Sequence, residues 1–269
     1  MISSCYQSQH SSSFNISRMA KNRLTEISTR APKEFEKEST KEKTAGILKE
    51  LNELQNLLYA ESKHAILVIL QGMDASGKDG VIRNVFGTLN PQGVLVHSFK
   101  VPTEEELSHD FLWRIHKAVP ARGAIQIFNR SHYEDILVTR VHKMIDDETA
   151  KKRMKAINHF ERLLTEHGNT MILKFYLHVS QEEQKERLDE RVTNPAKQWK
   201  YNEGDYREAK LRDEYLKMYE DCFENCSDIV PWTIVPADQN WYKEHVIASA
   251  LLDAMKKLDM KYPTLKTTK

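Results

Sequence analysis

The chain has 269 residues, enough for one large α/β domain or two small ones and for a core that needs no disulfide or metal staple. Its 40% hydrophobic and 29% charged content is that of a globular protein and excludes global disorder and collagen-like repeats. Forty Lys plus Arg against 39 Asp plus Glu leave a net charge of +1, which excludes a global polycation that coats nucleic acid; an anionic ligand must be met by a local cluster.

Residues 1 to about 35 are Ser-rich and lack apolar periodicity, with Arg18, Lys21, Arg23 and Arg30 around a single acid, Glu26. The stretch lacks the apolar core of a secretory signal. It is read as a disordered N-terminal extension, with an organelle transit peptide as the alternative. Residues 36–269 are read as one domain. No run approaches the roughly 18 apolar residues of a membrane span, and a cytoplasmic location is expected. Cys5, Cys222 and Cys226 are too few and too odd for a secreted disulfide framework. Cys222 and Cys226, four apart on an expected helix, are read as buried apolar groups rather than metal ligands.

In the stretch 43–60, Ile47, Leu51, Leu54 and Leu58 mark one face of an amphipathic helix. The run His64–Leu70 is almost wholly apolar, which suits a strand buried on both faces of a parallel sheet. Val94–Phe99, Ala124–Phe128, Met171–Val179 and Thr233–Val235 are further strand candidates. Helical stripes separate them, at Phe111, Ile115 and Val119 and at Ile157, Phe160 and Leu164. This alternation predicts an α/β fold with a central parallel sheet covered by helices. Ser180 with Glu183 predicts a capping box after the fourth strand. Residues Thr193 to about Glu208, charged and aromatic with Pro195 and Gly204, read as an insertion.

Directly after the first buried strand comes Gly72-Met-Asp-Ala-Ser-Gly-Lys78-Asp-Gly80, with the G-x-x-x-x-G-K spacing of a phosphate-binding loop (Walker A). Gly72 and Gly77 let the backbone curl so that successive N–H groups, through Ala75 and Ser76, point inward. Lys78 is a point charge for two phosphoryl groups. The usual Ser or Thr after the Lys is Asp79, and Asp74 adds a second carboxylate. Two carboxylates beside a polyanion require a cation between them, so the loop itself argues for Mg²⁺. The third strand ends in Phe128-Asn-Arg-Ser-His-Tyr-Glu-Asp135, and ligands of open parallel sheets sit beyond such strand ends. Asn129 stands where an acid is usual, Glu134 is placed to supply the carboxylate, Arg130 to grip a phosphate, and His132 to hydrogen-bond within the site. Lys100, at the end of the second strand, is expected to face the same cleft. Arg114 is left open between the cleft and solvent.

Taken together, Gly72–Gly80, Ser98–Pro102, Leu107–Asp110, Phe128–Asp135, Val138–His142, Lys197–Tyr201, Gly204-Asp205, Pro231-Trp232, Val235–Asp238 and Trp241-Tyr242 resemble the polyphosphate kinase 2 family over roughly residues 35 to 263. The Phe-Asn-Arg-Ser-His-Tyr-Glu form is similar to its class III branch, which phosphorylates both AMP and ADP. The resemblance implies a P-loop kinase-like three-layer α/β/α fold with a helical lid at about 185–212. It implies Mg²⁺-dependent, reversible phosphoryl transfer between inorganic polyphosphate and AMP, ADP or ATP, by a homo-oligomer (dimer or tetramer). It implies Asp74, Lys78, Arg130 and Glu134 as the catalytic set, with Asp74 and Glu134 as metal ligands, and Arg187, Arg191, Lys197 and Lys200 as the basic lid. Gly72, Ala75–Gly77, Asp79, Gly80, Arg83, Lys100, Asn129, His132 and Arg140 complete the expected substrate contacts, Arg83 and Arg140 as part of a cationic track. The chain departs from the family at two places: the segment after His142 is short, and Ala209 stands where a basic residue is usual, with Arg207 and Arg212 nearby. An ATP-dependent nucleoside monophosphate kinase is the alternative enzyme, and a non-catalytic phosphate-sensing module the alternative class; neither nucleic acid nor membrane is expected as a partner.

Overall fold

A computed structural model describes residues 23–264. The expectations for Cys5, Arg18, Lys21 and the rest of residues 1–22 lie outside them. In chain order the elements are α1 (Lys37–Glu61), β1 (Ala65–Gln71), α2 (Lys78–Asn84), β2 (Val94–Ser98), α3 (Glu104–Leu107), α4 (Trp113–His116), β3 (Ile125–Asn129), α5 (Val138–Val141), α6 (Asp147–Glu166), β4 (Thr170–His178), α7 (Gln181–Thr193), α8 (Glu203–Ala209), α9 (Arg212–Asn225), β5 (Trp232–Pro236) and α10 (Asn240–Lys256).

The five strands form one parallel sheet in the order β2-β3-β1-β4-β5. β1 lies at its centre and is buried along its whole length, which is why its sequence carries no polar alternation. Its Ile66, Val68 and Leu70 pack with Leu51 and Leu58 of α1, Val81 of α2 and Ile247 and Leu251 of α10. Leu67 and Ile69 point the other way, into a core with Met154, Ile157 and Phe160 of α6 and Leu216, Cys222 and Phe223 of α9. The result is three layers, α/β/α, with an apolar core on each face of the sheet. Cys222 and Cys226 are buried free thiols, as their apolar setting suggested. Among the described residues no helix is long and apolar enough to cross a membrane.

Four details differ from expectation. Residues 23–35 are tied down rather than loose. Leu24 is fully buried and its N–H donates to Glu220 at 2.7 Å, Thr29 bonds Asp238 through both its hydroxyl and its carbonyl, and the Phe35 ring meets Tyr242 edge-on. The Phe111–Val119 stripe yields only the single turn of α4, because Leu112–His116 winds up just before Pro120. β2 is an exposed edge strand. The capping box on α7 is half made: Ser180 Oγ accepts from Glu183 N–H at 3.1 Å, but the Glu183 carboxylate turns to Arg187 instead.

Beneath the end of β3 lies a wholly buried polar group. Lys174 Nζ of β4 donates to Glu161 of α6 at 2.7 Å, to Tyr133 Oη at 2.8 Å and to the Cys226 carbonyl at 2.7 Å, while Tyr133 Oη donates to Glu161 Oε1 at 2.7 Å. Glu161 and Lys174 are fully shielded from solvent. Lys174 and His132 hold the Glu161 carboxyl low against the opposing effect of burial. Removing one partner of such a pair leaves a buried charge uncompensated. Glu161→Gln is therefore expected to lower unfolding stability by about 3–5 kcal/mol, read by denaturant titration. Glu161→Met combined with Lys174→Met should recover much of the loss.

Candidate active site

The Gly72–Gly77 loop joins the buried end of β1 to the first turn of α2, with strand before and helix after. Its geometry is set by where its carbonyls go. Lys78 Nζ donates to the carbonyls of Gly72 at 2.6 Å and Met73 at 3.2 Å. Gln184 Nε2 of α7 holds the Asp74 carbonyl at 3.1 Å and Arg187 Nη1 the Ala75 carbonyl at 3.0 Å. Lys243 Nζ of α10 holds the Ser76 carbonyl at 3.2 Å. In a planar trans peptide the C=O and the next N–H point in opposite directions. Pinning the Ser76 carbonyl outward thus turns the Gly77 N–H inward, while Ser76 N–H closes the turn on Met73 at 3.1 Å.

Two glycines are required. A Cβ on Gly72 would lie 2.9 Å from the Leu177 carbonyl of β4, and one on Gly77 would lie 2.1 Å from Lys243 Nζ; both have positive φ, 149° and 96°. Ala75 and Arg130 also take left-handed backbone, at φ 61° and 64°. Such strain in non-glycine residues concentrates where a surrounding structure enforces it.

At Arg130 that turn redirects the chain at the end of β3 and brings its guanidinium to Asp74 Oδ1, 2.5 Å away. Glu134 follows on the turn His132–Asp135. Asp74, Arg130 and Glu134 line a cavity of about 300 Å³ with Gly72 and Met73, roofed by Asn202, Gly204, Asp205 and Glu208 and backed by Tyr215 and Tyr219. Burial raises the Glu134 carboxyl above its usual range, with the neighbouring Asp74 charge adding to the rise and Arg130 and Lys78 opposing it. Burial likewise lowers the Lys78 ammonium, helped by Arg130. Burial and Asp74 raise Asp205.

Carboxylates thus converge on a cavity with one guanidinium, which is the charge balance of a cation site. Among the described residues no cluster of three or more His, Cys, Asp or Glu forms a cage. Asp74 and Glu134, which line one cavity, could hold a magnesium ion, a hard cation that prefers oxygen ligands. The residues present fit that ion.

Around this centre the sequence-derived residues fall into three groups. Gly72, Asp74, Arg130 and Glu134 line the cavity, and Ala75, Ser76, Gly77, Lys78 and Gly80 build the loop and its helix. Asp79 is turned to the lid: Lys200 Nζ reaches its Oδ2 at 2.7 Å and Asn129 Nδ2 its Oδ1 at 3.1 Å. Burial would raise its pKa, but Lys200 more than offsets this and holds it low. The remainder sit differently from expectation. His132 is fully buried in the core, its Nε2 3.5 Å from Glu161, and faces no cleft. Arg140 is claimed by Asp147 at 2.7 Å and Asp221 at 2.5 Å, two acids that anchor it away from the loop. Arg83 is exposed and bonds only Asn84, and Lys100 is exposed at the β2 edge. Arg191 pairs with Asp205, which lines the cavity, and Lys197 pairs with Glu190. Arg187 supports the loop from behind rather than from above. Arg114 is buried against the Lys100 carbonyl, Glu106 and Asp135.

Sequence reasoning missed Gln184 and Lys243, and named Arg212 only as a neighbour of Ala209. Arg212 bonds Gln184 at 3.0 Å and touches the Met73 sulfur at 3.5 Å, whereas Arg207 is exposed and pairs with Glu203. A signal for Lys243 existed: with Ile247 and Leu251 it falls at intervals of four on the core face of α10.

The family model of Polyphosphate kinase 2 (PPK2) matches residues 34–263. An AMP/ADP-polyphosphate phosphotransferase of Meiothermus ruber is 47% identical over 232 residues, 86% of either chain. An ADP-polyphosphate phosphotransferase of Rhodopseudomonas palustris is 43% identical, over 79% of this chain and 78% of the other. The crystal structure of polyphosphate kinase 2 from Arthrobacter aurescens superposes with a TM-score of 0.88 at 40% identity, covering 93% of this chain and 90% of that one. By sequence and by fold, the chain belongs to the polyphosphate kinase 2 family.

Proposed function

We propose that this enzyme transfers phosphoryl groups between inorganic polyphosphate and nucleotides, AMP to ADP and ADP to ATP, reversibly and with Mg²⁺. The observation that carries the reading is the meeting, in one cavity, of a phosphate loop with Asp74, Arg130 and Glu134. The relatives named for AMP/ADP-polyphosphate and ADP-polyphosphate transfer support the substrate pair. Asp79, in place of a hydroxyl, and Asn129, in place of a strand-end acid, favour it over an ATP-dependent monophosphate kinase.

The acceptor's terminal phosphate oxygen is already anionic, so the reaction needs no strong base. Positioning and charge neutralisation carry the catalysis. That oxygen forms a bond to the terminal phosphorus of polyphosphate, and the bridging P–O bond breaks to leave a chain one phosphate shorter. Lys78 exchanges its contacts with the Gly72 and Met73 carbonyls for phosphoryl oxygens, and Arg130 gives up Asp74 to stabilise charge on the transferred group. Asp74 and Glu134 would hold magnesium, whose chemistry here is to neutralise the phosphate oxygens. The lid, latched to the loop through Lys200 and Asp79, excludes water that would divert the phosphoryl group to hydrolysis. A cytoplasmic location, where the nucleotides are, and assembly into dimers or tetramers belong to the same reading.

Purified protein with Mg²⁺, long-chain polyphosphate and AMP, without ATP, should yield ADP and then ATP on chromatographic separation. ADP formed only when ATP is supplied would move the assignment to a monophosphate kinase. Lys78→Ala is expected to lower kcat by about 10²-fold or more with an unchanged circular dichroism spectrum; a folded variant keeping more than a few per cent of activity would remove Lys78 from the reaction. Asp74→Asn should shift the magnesium titration to higher concentration. An unchanged titration would take Asp74 out of the metal site.

A further inference from the structure

Of the four side chains that hold the loop carbonyls, two are buried ammonium groups that form no ion pair among the described residues, Lys78 and Lys243. Lys243 is fully buried. Its Nζ donates to Asn240 Oδ1 at 2.8 Å and to the Ser76 carbonyl at 3.2 Å, and among the described residues it forms no ion pair with a carboxylate. It packs so closely on the loop that a Cβ on Gly77 would lie 2.1 Å from Nζ. Lys78 is placed alike, buried and bonded only to carbonyls. Arg187 completes the group and has one acid, Glu183, at 2.8 Å. Three cations therefore surround one loop with a single paired carboxylate. A buried ammonium without a counter-charge is costly. Burial and Arg187 pull the Lys243 ammonium down to about 7, with Lys78 adding to the fall and Glu244 and Glu183 opposing it. Ser76 Oγ, in the same loop, is buried without a hydrogen-bond partner among the described residues.

We propose that Lys243 is a positioning residue for the phosphate chain. It holds the Ser76 carbonyl behind the loop, so that the Gly77 N–H faces the bound phosphate, and it supplies positive charge across a single layer of backbone. The phosphate chain is the counter-charge that this buried ammonium lacks. The proposal rests on the reading of the loop as a phosphate-chain site given above, and its test separates the two.

The test compares wild-type protein with Lys243→Met. It reads the KM values for polyphosphate and for ADP, and the Tm with and without polyphosphate plus Mg²⁺ and no nucleotide. Losing a charge-assisted contact behind the anion should raise the KM for polyphosphate about tenfold with the KM for ADP little changed. Without polyphosphate the variant's Tm should match or exceed that of wild type, because the unpaired charge is gone. The rise in Tm caused by polyphosphate should shrink. A variant with wild-type KM and a wild-type Tm rise overturns the proposal, as does one whose Tm falls equally with and without polyphosphate, the behaviour of a merely structural lysine. If Lys243→Met does not fold, Lys243→Gln, which keeps the donor and drops the charge, is read in the same way. If wild type itself shows neither turnover nor a Tm rise with polyphosphate, the functional reading fails. The same variant pair read against Mg·ATP then decides Lys243, since any phosphate chain in the loop meets the same charge.

Discussion

A loop that binds a polyanion with its backbone must dispose of its own carbonyls. In this chain the five carbonyls from Gly72 to Ser76 are all taken by side-chain donors, two by Lys78 and one each by Gln184, Arg187 and Lys243. Those donors come from α2, α7 and α10, so the loop cannot be shaped by its own few residues. β4 and β5, added to one side of β1 in the sheet, lead into the helices α7 and α10 that supply three of the five contacts. The glycine at 72 belongs to the same constraint, because the loop leaves β1 pressed against the backbone of β4. Even the N-terminal segment contributes: Thr29 bonds Asp238, whose carbonyl in turn accepts from Arg187 at 2.9 Å.

The other half of the site has a comparable foundation. Arg130 and Glu134 flank the turn that contains Tyr133, and Tyr133 is fastened to Glu161 and Lys174 in the core behind it. A left-handed Arg130 is an unfavourable backbone state, and the buried group beneath it supplies the rigidity that maintains it. Positioned groups on a rigid sheet edge suit a reaction that demands alignment more than proton transfer.

Much of this was legible in the sequence. The unbroken apolar run before Gly72 could hardly be anything but a central strand, and the G-x-x-x-x-G-K spacing after it named the loop. The position of Asn129–Glu134 after a strand placed those residues at the sheet edge where ligands bind. What was not legible depended on partners far along the chain. Arg140 and His132 sit in segments that look cationic and close to the site, but Asp221 and Glu161, remote in sequence, take them out of it. Lys243 gave the opposite error. Its spacing with Ile247 and Leu251 put it on a buried face, but nothing local revealed that the face ended beneath a phosphate loop. Leu24, with Ile27 its only apolar neighbour in a polar stretch, showed no sustained periodicity, yet both join a core built by other elements.

The contact between Arg130 and Asp74 has a consequence for selectivity. The most prominent cation of the cavity is engaged by the protein's own carboxylate. A small anion such as orthophosphate must compete with that internal partner and gains few contacts by winning. In the proposed reaction a phosphate chain would engage the loop and the strand end together, and Arg130 would be freed for it if Asp74 held a cation. Binding of chain and cation would then be cooperative. On that reading the cavity would discriminate by number of contacts, favouring the polymer over monomeric phosphate.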